Sequence, residues 1–162
     1  MMNTEIFNYL ELMKDSLTKK EKILITILEL TREQEKLLNS ENFDDEAFDN
    51  LITEKSILIE KINKLDEGFE LTYKRIEDKI KAEPLYYREN IEKLQELIRT
   101  LVDRGVEVET LERRNQIKFD MNISRSKDRI RSYNLNSNAV TKYYSNMSGN
   151  IGEGTYFVDK KK

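Results

Sequence analysis

Only one proline, Pro84, interrupts 162 residues, and no glycine occurs before Gly68. Proline and glycine are the residues that most disfavour helix interiors, so a chain this poor in them has little to stop a long helix. Three of the five glycines fall near the carboxyl end, at 149, 152 and 154. Charged residues make up 36% of the chain and apolar residues 38%. A narrow seam between lengthwise-packed helices needs less apolar surface than a compact globule, and this balance suits it.

Spacing gives the same answer. Ile6, Leu10, Met13, Leu17, Lys20, Leu24, Ile27, Thr31, Gln34 and Leu38 alternate steps of four and three, which is the heptad period. Lys20, Thr31 and Gln34 thin that seam without changing its phase, and Lys20 can lay its stem along it with the ammonium in water. The first helix is expected over 3–38. Asp44 then has the character of an N-cap, with Asp45 and Glu46 in the first turn and Phe43 and Phe48 at the hydrophobic-staple positions. A second helix over 44–82 carries Leu51, Ile52, Leu58, Ile59, Ile62, Leu65, Phe69, Ile76 and Ile80, and the apolar period continues past Gly68. The short connector makes it antiparallel to the first. Pro84 places a turn at 82–85 and fits the first turn of the next helix, while Tyr86 and Tyr87 cover that turn.

A third helix is expected over 85–147, through Ile91, Leu94, Leu97, Ile98, Leu101, Val102, Val108 and Leu111 and across Gly105. Asn115 and Asn122 turn its seam polar near Phe119; a seam asparagine fixes register, and a solvent-facing one does not. Residues 148–162 have the composition of a flexible tail. The expected architecture is all-α: an elongated, antiparallel, coiled-coil-like bundle of three long helices, the third longest, forming one unit over 1–147.

There is no cysteine and no histidine. A disulfide framework, a thiol nucleophile, the usual zinc ligands and the commonest neutral-pH base are therefore out. The carboxylates are spread along helix faces that belong in water, so neither an enzyme nor a bound cofactor is expected. The amino end has no basic segment followed by an apolar run, and the longest apolar stretch, near 23–30, is far too short to span a bilayer. A cytoplasmic protein without membrane insertion is expected. Residues 1–84 hold 13 basic and 20 acidic side chains, net −7; residues 85–162 hold 15 and 11, net +4. Opposite charge on the two halves suits helices folded back on one another.

A third helix of about 60 residues would run roughly 90 Å, against roughly 60 Å for each of the first two. Its overhang carries an apolar stripe, Ile130, Tyr133, Ser137, Val140, Tyr144 and Met147, spaced three, four, three, four, three. A stripe without a partner in its own chain seeks one elsewhere; a third helix that bends back would make it ordinary core. The interleaved Asn and Ser are poor helix formers, in keeping with a segment that folds on binding. Ile130, Tyr133, Val140, Tyr144 and Met147 are accordingly the expected partner-binding residues. A basic run, Arg113, Arg114, Lys118, Arg125, Lys127, Arg129 and Arg131, lacks any accompanying nucleic-acid motif in an acidic chain, so nucleic acid is not an expected partner.

Longer stretches resemble a known family. The segment LTKKEKILITILELTREQEKLLNSENFDDEAFDNLITEKSILIEKI, then LDEGFELTYKRIEDKI, then YYRENIEKLQELIRTLVDRGVEVETLERRN, with the ending AVTKYYSNM and YFVDKKK, is similar to bacterial flagellar export chaperones of the FlgN type, in their clostridial form. LDEGF, LQELI and LERRN look like family landmarks; Gly105 and the Asn-rich 134–138 stretch depart from the pattern. The resemblance implies a cytosolic, non-enzymatic chaperone. Its cargo would be the terminal helices of flagellar hook-associated proteins, delivered to the flagellar type III export apparatus. It links cargo binding to the C-terminal helical region, which here holds the stripe from Ile130 to Met147. The alternative is a structural coiled-coil adaptor, with that stripe as a homodimer seam.

Overall fold

A computed structural model of the chain describes residues 3–124, which form three long helices: α1 (Asn3–Asn39), α2 (Asp45–Ala82) and α3 (Arg88–Ser124). There is no strand among the described residues. The expected continuation of the third helix to 147 and the expected tail at 148–162 lie outside them.

The connector between α1 and α2 follows the residue chemistry. Asp44 adopts an extended backbone and its carboxylate accepts from the Ala47 amide at 3.0 Å. Phe43 and Phe48 staple across the helix start, edge to face, with ring centroids 5.4 Å apart. Asp45 and Glu46 occupy the positive end of the helix dipole.

The second connector differs from expectation. The third helix starts at Arg88, not at residue 85, and Pro84 lies in the turn before it rather than in its first turn. The Glu83 carbonyl accepts from both the Tyr86 and Tyr87 amides, at 3.2 and 3.4 Å, and the Tyr87 carbonyl then accepts from the Ile91 amide. The physical reason is burial of Tyr87, which is fully enclosed and packs its ring 5.6 Å from that of Phe7 on α1. The turn lasts until that ring is seated.

α1 is the shared helix: α2 packs against it antiparallel and α3 packs against it parallel. All ten expected seam positions of α1 are buried, the three polar ones included. Ile52, Ile59, Ile62, Ile76 and Ile80 meet them from α2, and Leu94, Ile98, Leu101, Val108 and Leu111 from α3. Each such side chain contributes about 1.5–3 kcal/mol by leaving water, before the entropy of ordering it is subtracted. Both α2 and α3 pass through their glycines without a break. At one end of the bundle Phe48 and Phe119 stack with centroids 4.9 Å apart beside Phe43, Leu38 and Ile52.

Candidate partner-binding surface

The five expected contact residues, Ile130, Tyr133, Val140, Tyr144 and Met147, lie outside the described residues. The described helices fix the level that α3 has reached on α1 by Ser124. Asn115 donates from Nδ2 to the Thr31 carbonyl at 3.0 Å, and Asn122 to the Leu38 carbonyl at 3.3 Å. Both asparagines thus stand in the seam and set the register of α3 on α1. Arg114 reaches Glu35 at 2.9 Å in the same register. Since α1 ends at Asn39, Asn122 already touches its last turn. Phe119 likewise sits over Phe48, in the first turns of α2. Asn122 thus stands level with the end of α1, two residues before α3 reaches Ser124.

A polar cluster missing from the sequence expectation holds the register from inside. Lys55 of α2 is fully buried, and its ammonium donates to the Thr31 hydroxyl at 3.2 Å, the Gln34 side-chain oxygen and the Glu112 carboxylate. Its three protons therefore have three acceptors, drawn from α1 and α3. The Thr31 hydroxyl lies 2.9 Å from the Glu112 carboxylate and 2.6 Å from the Ile27 carbonyl. Burial pulls the Lys55 ammonium below the ordinary lysine range, opposed by the Glu112 charge and hydrogen bond. With no exposed atom, this lysine has no path to a substrate, and the cluster is a packing device. Gln34 Nε2 and Asn115 Oδ1 are buried without a hydrogen-bond partner among the described residues. Nearer the other end Lys20 does not reach into water but pairs with Asp66 at 2.8 Å. Burial still raises the Asp66 carboxyl above its usual range, with Lys20 opposing.

Signals for these residues existed. Phe48, Ile52, Lys55, Ile59, Ile62, Asp66 and Phe69 alternate four and three, as do Val108, Glu112, Asn115 and Phe119. Lys55, Asp66 and Glu112 therefore occupy seam positions that a search for apolar residues passes over.

The expected basic run is partly engaged within the bundle. Arg113 pairs with Glu109 at 2.6 Å, and Arg114 and Lys118 converge on Glu35. The other four members of the run, from Arg125 onward, lie outside the described residues. Ile117 and Met121 are exposed on the outer side of α3 near its end. No cluster of potential metal ligands occurs among the described residues, and no helix there is long and apolar enough to cross a membrane. No family model, curated protein or solved structure matches this chain.

Proposed function

We propose that this chain is a non-enzymatic, cytosolic export chaperone of the FlgN type. It would bind the terminal helices of flagellar hook-associated proteins through the segment that follows α3, and deliver them to the flagellar type III export apparatus. The observation that carries the reading is the coincidence of ends. α1 runs out at Asn39 where Asn122 meets Leu38, and an apolar stripe begins only a few residues later in sequence. Tyr133, Val140 and Met147 follow Phe119 by 14, 21 and 28 residues, so in the sequence they keep the heptad phase of the α3 seam. A guest amphipathic helix would supply the missing side of a bundle there. The family resemblance supports the same assignment.

The test is co-purification of the full chain with a hook-associated protein, beside a chain ending at Ser132. The full chain should form a stable complex and the shortened one should lose it while keeping its helical signal. Normal cargo binding by the shortened chain would refute the site, and no complex with the full chain would refute the function. The adaptor reading puts a second copy on the same stripe. Light scattering separates the two, because Val140→Asp with Tyr144→Asp would then dissolve a tight dimer.

A further inference from the structure

The α1–α2 hairpin carries a second apolar ladder, and no residue of α3 takes part in the groove at its Ile23–Leu65 end. Ile23, Leu30 and Leu37 recur every seven residues on α1, as do Leu51, Leu58 and Leu65 on α2, and all six are half-buried. The Lys20–Asp66 and Thr31–Lys55 contacts set the antiparallel register. In that register Ile23 comes level with Leu65, Leu30 with Leu58, and Leu37 with Leu51. The ladder spans about 21 Å, some four helical turns.

At one end it opens into a groove of about 480 Å³, floored by Ile23, Leu58 and Leu65 and walled by Lys19, Lys22, Lys61 and Lys64. No acidic side chain and no residue of α3 lines it. Elsewhere on the described helices lysines and arginines pair freely with carboxylates, as at Lys81, Arg88, Lys93 and Arg113. The four groove lysines make no ion pair among the described residues.

We propose that this face docks a partner's amphipathic helix whose apolar stripe is flanked by aspartate and glutamate. The apolar rungs take the stripe, and the four ammonium groups, two on each wall, take the carboxylates. Electrostatic complementarity of this kind selects the partner and speeds encounter more than it adds affinity. The chain's own remaining segment is the wrong occupant: residues 125–162 carry eight basic and three acidic side chains, so its charge repels that of the groove. The site is separate from the stripe at Ile130 to Met147 and does not depend on the chaperone reading.

The probe is a labelled synthetic helix of about 18 residues, long enough for the ladder, with leucine at heptad seam positions and glutamate beside them. A twin peptide carries lysine in place of every glutamate. Fluorescence anisotropy with the full chain should show binding of the acidic helix that weakens with salt. It should weaken about tenfold or more in Lys61→Glu with Lys64→Glu, both exposed positions where folding is checked by circular dichroism. The groove then carries two lysines against two glutamates, so the preference for the acidic helix over its lysine twin should vanish. Equal binding of both peptides by the wild type, no binding of the acidic one, or indifference to the charge reversal would overturn the proposal. So would a dimer in sedimentation that the same reversal dissociates, since the occupant would then be a second copy.

Discussion

Replacing Lys55 and Glu112 singly and together gives the sharpest test of what holds the three helices in register. Lys55 is 0% exposed and Glu112 is 3% exposed, so neither charge can fall back on water when its partner is removed. Lys55→Met leaves a buried carboxylate with the Thr31 hydroxyl alone, and should cost about 3–5 kcal/mol. Glu112→Leu should cost toward the lower end of about 3–5 kcal/mol, because the stranded lysine can shed its proton and burial already favours that. The double variant removes both charges and fills their space with apolar side chains. It also strips Gln34 of its donor, at about 1–3 kcal/mol, which offsets part of the gain from avoided desolvation. The double variant should therefore lie within about 2 kcal/mol of wild type, against a sum of single costs above about 6 kcal/mol. Urea unfolding followed by far-ultraviolet circular dichroism measures all four corners of the cycle. Single variants costing under about 1 kcal/mol, as exposed pairs do, would refute the reasoning, and so would a double variant that costs the sum of the singles.

Four further outcomes follow from the same structure. Because the folded Lys55 ammonium titrates below the ordinary value of 10.5, the unfolded chain holds the extra proton between those two values; stability should rise with pH across that window and the rise should vanish in Lys55→Met. Asp66 titrates above its ordinary 3.8 when folded, so there the folded chain holds the extra proton; on acidification from neutrality the wild type should gain stability relative to Asp66→Asn, as titration of unfolding free energy would show. A Cβ added at Gly68 would meet nothing within 4 Å, so Gly68→Ala should stabilise the chain by about 1 kcal/mol in the same urea assay, whereas Asp44→Ala should cost about 1 kcal/mol by freeing the Ala47 amide.

The seam of α1 was legible residue by residue, because heptad spacing is a local property and Lys20, Thr31 and Gln34 could be carried by phase alone. The Asp44 cap and the Phe43–Phe48 staple were legible for the same reason: each is decided within five residues. The start of α3 was not, because Tyr87 is seated by Phe7, eighty positions away. Nor was the buried Lys55. A lysine on a helix belongs in water by default, and only the joint arrival of Thr31, Gln34 and Glu112 from two other helices makes its burial tolerable. The docking ladder stood in the sequence as Ile23, Leu30, Leu37 and Leu51, Leu58, Leu65, but which side of the hairpin α3 would cover was not there to be seen.

Helix register and partner binding are the same problem in this architecture. Apolar seams with a seven-residue repeat tolerate a slip of one heptad, about 10 Å along the axis, at modest cost. Such a slip of α3 along α1 would carry Glu112 away from Lys55 and leave two buried charges unpaired, which no apolar repacking offsets. It would also pull Phe119 off Phe48 and shift by two turns the point on α3 that stands level with the end of α1. The length of stripe open to a guest on the chaperone reading depends on that level. On the chaperone reading, Lys55 and Glu112 therefore act on cargo without touching it. Their pairing, on that reading, fixes how far α3 has run when α1 ends, and hence the level at which a guest helix would begin.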